Sequence, residues 1–284
     1  MKRFSYTKIN GAGNDFVLID KKINPKINLS ADEISKICDR STGIGADGVL
    51  IIDDTDQADF EMQYFNADGS TGSLCGNGAR CAIKYAAISK RVNGKQTNFI
   101  SNSASYKGEL LDDSTIKFSL LPPNKIKLKF KVKAHRQFIT AHYAETGSPH
   151  VVIYIEDILS NPSNIKSAYS KIDELPVRTI GAEIRNLPEF APDGVNVNFL
   201  QKEVDKLLIR SYEKGVENET LACGTGAVAA AIVDFLINKK IPPTKLITKS
   251  NAELIVNFET EKNTFTNVSL TGPVEIEFQG NYSI

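Results

Sequence analysis

Two stretches of this chain, SLCGNGARC (Ser73–Cys81) and LACGTGAVAAA (Leu221–Ala231), set a cysteine directly before Gly-x-Gly and follow it with a helix-like run. The repeat constrains the fold more than any other feature, because each half of the chain carries one such helix and is otherwise mostly strand-like. In the first half FVLID, GVLIID, FEMQYFN, TNFIS, GELLDD and TIKFSLL read as strands. SADEISKICDRST reads as a helix opened by Ser30, with Glu33 three positions on as a capping box. LPPNK (Leu121–Lys125) is the strongest turn signal and the best boundary. Beyond it QFITAHYAETGSPHVVIYIED gives strands around a glycine turn, followed by NVNFLQ, KLLIRSYEKG, KLITK, AELIVNFE, FTNVSLTG and VEIEFQG. The helix after Cys223 is apolar nearly all round to about Asn238, as a central helix is. The helix after Cys75 is partly so, with Arg80 and Lys84 as polar exceptions. The pattern predicts an α+β duplication: two pseudo-symmetric lobes facing each other across a cleft, each a strand cage around a central helix. The lobes are expected at 1–121 and 122–272.

Bulk properties remove several function classes. Lys and Arg number 34 against 34 Asp and Glu, so no net field favours nucleic acid. MKRFSYTKINGAGND lacks the apolar segment of a signal peptide, and no run approaches the roughly 20 apolar residues that span a bilayer. A soluble, cytoplasmic protein without a membrane partner is expected. Four cysteines (Cys38, Cys75, Cys81, Cys223) without a Cys-x-x-Cys pair, and three histidines, give neither a disulfide framework nor a recognisable metal site.

The thiols divide by position. Cys38 and Cys81 fall within helix patterns and read as small buried hydrophobes. Cys75 and Cys223 precede helix N-termini, whose unpaired N–H groups and partial positive charge favour a thiolate. With no side chains at Gly76, Gly78, Gly224 and Gly226, a ligand carboxylate can approach the backbone donors. A thiol beside a carboxylate cradle suits removal of a proton from the adjacent carbon, and two such thiols suit a pair working on opposite faces. Other readings fit less well. GIGADG (Gly43–Gly48) matches G-x-G-x-x-G, but a helix precedes it and a strand follows, the reverse of a dinucleotide site. A Cys/His nucleophile pair with His150 leaves one thiol unexplained, and a four-cysteine zinc site draws ligands from three unrelated segments. A reversible disulfide between Cys75 and Cys223 is the alternative from a different class.

NADGSTGSLCGNGAR (Asn66–Arg80) resembles the signature of diaminopimelate epimerases, and KINGAGNDFVLID, GIGADGVL, GVNVNF and YEKGVENETLACGTGA resemble the family's other blocks in the family's order. The resemblance covers nearly the whole chain. It implies a two-lobed fold whose last strand (273–284) returns to the first lobe. It also implies a homodimer and interconversion of LL- and meso-diaminopimelate without pyridoxal phosphate or metal, on the way to lysine and peptidoglycan precursors. Cys75 and Cys223 would be the two catalytic acid/bases. Gly76, Asn77, Gly224 and Thr225 match positions that cradle the reacting carboxylate, and His150 and Glu213 match polar residues close to the thiols. Asn14, Asn66, Asn196 and Lys214 match positions that hold the distal head group. A proline- or hydroxyproline-type racemase of the same fold is the nearest enzymatic alternative, and a ring amino acid has no distal head group for those residues. The chain departs from the family at three places: Ser148 stands where an asparagine amide is usual, Lys214 where arginine is usual, and GVENET is one residue longer than the common form.

Overall fold

The computed structural model describes residues 1–72, 74–262 and 264–284, so Ser73 in the first cysteine motif and Asn263 stand outside the described residues. Its secondary structure is mixed α+β, with strands predominating. The chain divides by internal contacts into two units, Met1–Ser119 with Thr271–Ile284, and Leu120–Leu270.

In the first unit, β1 (Arg3–Gly11) and β2 (Asn14–Asp20) form an antiparallel hairpin in which Gly11 faces Asn14. Its two-residue turn, Ala12–Gly13, lies at φ 61° and 95°, the left-handed backbone that tight hairpins need. Helix α1 (Ala31–Cys38) carries the expected capping box: Ser30 accepts from the Glu33 N–H, and the Glu33 carboxylate accepts from the Ser30 N–H. β3 (Gly48–Asp53) pairs parallel to β2, and β4 (Phe60–Asn66) pairs antiparallel to β3. After α2 (Gly76–Ile88) come β5 (Gln96–Ser101), β6 (Ala104–Leu110) and β7 (Thr115–Ser119). Helix α2 packs against β1, β2, β3, β4, β6 and β7, which makes it the central helix of this unit. Phe60, Phe99, Tyr106 and Phe118 are buried as a stacked and tilted aromatic group. The two polar residues of α2 differ in fate. Lys84 is half-buried and donates to the Asp113 carbonyl at the surface, whereas Arg80 is entirely buried.

In the second unit β8 (Ile126–Ala134) and β9 (Gln137–Glu145) pair antiparallel, and β10 (Pro149–Tyr154) continues antiparallel to β9 after a turn with Gly147 at φ 93°. Helix α3 (Val177–Arg185) lies before β11 (Asn196–Lys202), which runs parallel to β10. β12 (Lys206–Glu213) pairs antiparallel with β11, and short β13 (Asn218–Thr220) folds back on its end. Helix α4 (Gly224–Asn238) is buried along its whole length to Asp234 and packs against β9, β10 and β11. It ends at Lys239 in the left-handed conformation, φ 57°, a usual way of closing a helix. β14 (Thr244–Ile247), β15 (Glu253–Glu261) and β16 (Thr264–Pro273) follow, with α4 also resting on β15. The last strand, β17 (Glu275–Ser283), pairs antiparallel with β1 in the first unit.

Four elements lie outside the sequence expectation, the short β13 among them. β1, β8 and α3 were not anticipated either; β8 and α3 are amphipathic with a charged outer face, and β1 mixes polar with apolar residues and buries Lys8, so none shows a continuous apolar run.

Candidate active site

Cys75 is the N-cap of α2 and Cys223 the N-cap of α4. Each has extended backbone, and each sulfur accepts the N–H of the residue three on, Gly78 or Gly226, at 3.4 Å in both cases. Cysteine is not among the residues favoured at this position; serine, threonine, aspartate and asparagine cap better, and a good cap is worth about 1 kcal/mol. Use of a thiol at two buried helix starts therefore gives up stability that the sequence takes at α1 with Ser30. Space requires glycine at 226 and favours it at 78. A Cβ on Gly226 would lie 2.2 Å from Asn198 Oδ1 and 3.0 Å from Cys223 Sγ, and one on Gly78 would lie 3.0 Å from Leu50 Cδ2.

Around Cys75 the groups are linked amides ending in charge. Asn14 Oδ1 lies 3.8 Å from Cys75 Sγ and accepts from Asn77 Nδ2 at 3.3 Å. Asn14 Nδ2 donates to Asp47 at 2.6 Å, and Arg80 Nη2 donates to Asn77 Oδ1 at 2.9 Å. Asp47 in turn meets Arg40 at 2.7 Å, and Arg40 and Lys8 both pair with Asp15. Burial opposes ionisation of Asp15, but the hydrogen bonds from Arg40 and Lys8 prevail and hold its carboxyl down at about 2. Asp47 is pushed up, by burial and by the neighbouring Asp15 charge. The structure thus brings Asn14, Asn77 and Cys75 together. Asn66 bonds within its own turn, donating to Ser70 Oγ at 3.0 Å. The remaining thiols of this unit are buried, and burial pushes Cys38 up to about 12 and Cys81 higher still, as suits inert packing residues.

Near Cys223 stand Thr225, His150 and Ser148. Thr225 Oγ1 lies 3.8 Å from Cys223 Sγ, 2.9 Å from His150 Nε2 and 3.3 Å from Ser148 Oγ. Ser148 Oγ is 2.8 Å from His150 Nε2. Burial drives His150 down to about 3, so the ring is neutral. Its other nitrogen faces Asn198, a residue that motif matching passed over. The period-2 alternation of NVNF puts Asn198 on the same face of β11 as Asn196, and that signal was available in the sequence.

The remaining expected residues have structural partners as well. Asn196 is buried; its amide donates to Ser148 Oγ at 3.3 Å and the Pro149 carbonyl at 3.1 Å, and its oxygen accepts the Lys214 N–H at 3.0 Å. Glu213 accepts from Thr220 Oγ1 at 2.5 Å across the β12–β13 pair. Lys214 is exposed and lines a cavity of about 900 Å³ with Tyr143, Pro149, Phe190 and Val195. The extra residue of GVENET is absorbed in the turn, where Glu217 takes φ 53° and its carboxylate accepts from Arg185 at 3.0 Å and from the Gly215 N–H at 3.0 Å. Ser148, which replaces an amide, is held by the His150–Thr225 group. Among the described residues no cluster of three or more His, Cys, Asp or Glu side chains is placed to hold a metal ion, and no helix is long and apolar enough to cross a membrane.

Known proteins resemble the whole chain. Residues 6–125 and 142–279 match the family model described as diaminopimelate epimerase. A diaminopimelate epimerase of Chlorobaculum tepidum is 37% identical over 279 residues, covering 97% of this chain and 100% of that protein. Among solved structures, a phenazine biosynthesis protein of the PhzF family from Bacillus anthracis superposes with a TM-score of 0.72 at 12% identity, covering 100% of both chains. A probable proline racemase from Agrobacterium radiobacter does so with a TM-score of 0.72 at 13% identity, covering 99% of this chain and 93% of its own. At such identities the structural likeness speaks for the fold alone, whereas the family model and the curated relative speak for lineage: the chain belongs to the diaminopimelate epimerase family.

Proposed function

We propose that this protein interconverts LL- and meso-diaminopimelate by two-base proton transfer, with Cys75 and Cys223 as the bases and no cofactor. One sulfur, as thiolate, takes the α-proton and becomes a thiol. The other, as thiol, delivers its proton to the opposite face of the same carbon and becomes a thiolate. The reverse reaction exchanges the roles. The single observation that carries the reading is the matched placement of the two sulfurs as N-caps, each receiving a glycine N–H in a helix start cleared of side chains. Such a start supplies fixed N–H donors for a carboxylate whose neighbouring carbon becomes negative, and preorganised donors are the general means of lowering that barrier.

In this reading Gly76, Asn77, Gly224 and Thr225 cradle the reacting carboxylate through backbone groups, with His150 and Ser148 supporting Thr225. Asn14, Asn66, Asn196, Glu213 and Lys214 serve substrate binding, Asn196 by holding the Lys214 backbone. We place the enzyme in the cytoplasm as a homodimer, in lysine and peptidoglycan precursor synthesis. The test is proton NMR of LL-diaminopimelate with reduced protein in D2O and no added cofactor. The α-proton signal should fade as the meso isomer appears, and Cys75→Ala and Cys223→Ala should each abolish turnover. Exchange on proline or hydroxyproline instead would move the assignment to a ring-amino-acid racemase, and retained turnover in either alanine variant would remove the two-thiol mechanism.

A further inference from the structure

An amide side chain has two unlike ends, and its partners decide which end points where. Asn14 and Asn77 form a short chain of amides beside Cys75, with a charged group at each end. At one end Arg80, fully buried on α2, donates from Nη2 to Asn77 Oδ1 at 2.9 Å. A guanidinium has no acceptor, so the Asn77 oxygen must face it, and the Asn77 NH2 must face Asn14 Oδ1, 3.3 Å away. At the other end stands the Asp47 carboxylate, which has no donor. The Asn14 NH2 must therefore face Asp47 Oδ2, 2.6 Å away. The two ends agree, and they leave Asn14 with its carbonyl oxygen toward Cys75 Sγ at 3.8 Å.

We propose that Asp47 is a positioning residue: by holding the Asn14 NH2 it keeps a carbonyl oxygen, and not an amide donor, toward the Cys75 sulfur, and so sets how basic that sulfur is. The proposal rests on the two-thiol reading above and adds a residue that acts through Asn14. An acceptor beside a sulfur stabilises S–H, whereas a donor there stabilises the thiolate. A Cys75 thiolate that faces the Asn14 oxygen is thus a stronger base toward an α-proton than one that faces an NH2 group.

Strand geometry brings the two side chains together. Asn14 and Asp15 open β2, Asp47 directly precedes β3, and the two strands run parallel with Phe16 beside Gly48. The strand starts are therefore neighbours, and Asp47 meets donors on both of its oxygens. Oδ1 accepts from Arg40 Nη2 at 2.7 Å. Oδ2 accepts from Asn14 Nδ2 and, at 3.3 Å, from the Asp15 N–H. The Asp47 N–H returns a bond to Asp15 Oδ1 at 3.3 Å, and Asp15 is itself held by Arg40 at 2.7 Å and by Lys8.

Only a group with two acceptor atoms satisfies both sides. Asp47→Asn keeps the shape but leaves one oxygen for two sets of donors. Arg40, the charged donor, takes that oxygen, and the amide's NH2 then opposes the NH2 of Asn14. Because Arg80 pins Asn77 from the other end, one junction of the chain must break. The 3.3 Å bond from Asn77 is longer than the 2.6 Å contact at residue 47 and yields first. Asn14 then turns over and points its NH2 at the sulfur.

The experiment follows iodoacetamide alkylation of Cys75 in the substrate-free, reduced protein from pH 5 to 10 by peptide mass spectrometry, beside turnover of LL-diaminopimelate. Asp47→Asn should lower the Cys75 pH midpoint by about 1 unit, the size of a hydrogen bond to a charged group, and cut kcat about tenfold. Adding Arg40→Met frees the amide oxygen to turn to Asn14, so the double variant should regain the original midpoint and most of kcat. A merely loosened structure is not repaired by removing a second partner. An unmoved or raised midpoint in a folded Asp47→Asn protein would overturn the proposal. So would a lowered midpoint that leaves kcat unchanged, or one that Arg40→Met fails to restore. Where Asp47→Asn does not fold, NMR of the unaltered protein decides. Overhauser contacts from the Asn14 NH2 to the Asp15 N–H are expected, and contacts to the Cys75 β-hydrogens in their place would overturn the orientation. Because alkylation needs no substrate, a lowered and restored midpoint in a protein that exchanges no α-proton would sink the epimerase reading and leave the Asp47–Asn14 orientation standing.

Discussion

The side-chain nitrogen of Asn198 lies 3.1 Å from Nδ1 of His150 and 3.1 Å from the Val151 carbonyl, while Ser211 Oγ donates to its oxygen at 2.8 Å. A carbonyl accepts only, so the Asn198 NH2 must face it, and therefore also faces His150. Nδ1 is then an acceptor and the ring proton sits on Nε2, against Ser148 and Thr225. His150 is thus a neutral donor, which frees the Thr225 hydroxyl hydrogen for a sulfur or a substrate oxygen.

Asn198→Asp tests that relay. A carboxylate cannot donate to Nδ1, so the imidazole must shift its proton to Nδ1 or become charged. We expect kcat to fall roughly 10- to 100-fold with KM little changed, in line with the loss of a correctly placed proton donor. In ring-resolved NMR titration His150 should move up from its value of about 3 into an accessible range. Unchanged kcat alongside a shifted tautomer would remove His150 from the catalytic relay.

Glycine 226 sets helix propensity against packing. Alanine in a helix interior is favoured over glycine by about 1 kcal/mol, which on its own predicts a more stable protein. The added Cβ would stand 2.2 Å from Asn198 Oδ1 and 3.0 Å from Cys223 Sγ, so both must move. Gly226→Ala should lose about 1–3 kcal/mol to overpacking and most of its epimerase turnover. Gly78→Ala meets a Leu50 methyl at 3.0 Å, which can give way, and should be milder on both counts. Thermal unfolding and α-proton exchange on the two variants check the order.

Acid should weaken the first unit through Asp15. Its folded value of about 2 lies below the ordinary 3.8. A depressed carboxylate contributes stability above its unfolded value and loses it as pH falls through the folded one. The window is therefore between about pH 4 and 2, with a contribution on the order of 2 kcal/mol, partly offset by Asp47, which is shifted the opposite way. Denaturant unfolding from pH 5 to 2 should show the loss, and Asp15→Asn should flatten it. A slope unaltered by that substitution would place the acid sensitivity elsewhere.

Much of this arrangement was legible from residue type and spacing. The Ser30–Glu33 box, the end of α2 at Ile88 (read from the sequence over Ala79–Ile88, and starting at Gly76 in the structure) and the span of α4 to Asn238 follow from capping chemistry and from apolar faces that leave a helix nowhere to lie but inside. The expected partition of the thiols also matches their surroundings, with Cys38 and Cys81 in apolar packing and Cys75 and Cys223 at helix starts. β8 went unread because IKLKFKVKA alternates lysine with apolar residues, and charge obscured a period-2 strand with one wet face. α3 went unread because its apolar stripe is short and follows a proline. Arg80 read only as a polar exception on its helix, and a buried arginine without a carboxylate is rare. Nothing local in the sequence marks its burial; that comes from β1, β2 and the other strands closing round α2.

The serine in Ser-Pro-His separates two views of residue 148. As a stand-in for a substrate-contacting amide, Ser148 would govern affinity. Its partners instead are His150 Nε2 at 2.8 Å, Thr225 Oγ1 at 3.3 Å and the Asn196 amide at 3.3 Å. Ser148→Ala leaves Thr225 on the ring nitrogen at 2.9 Å, so the lost hydrogen bond should cost about 1 kcal/mol, or a few-fold in kcat, with KM nearly constant. Thr225→Val removes the hydroxyl between the ring and Cys223 and should cost roughly 10² in kcat. If Ser148→Ala instead raises KM several-fold and spares kcat, the residue touches substrate after all. Steady-state kinetics on the two variants decides between the views, because a residue that acts through Thr225 cannot exceed the effect of removing Thr225 itself.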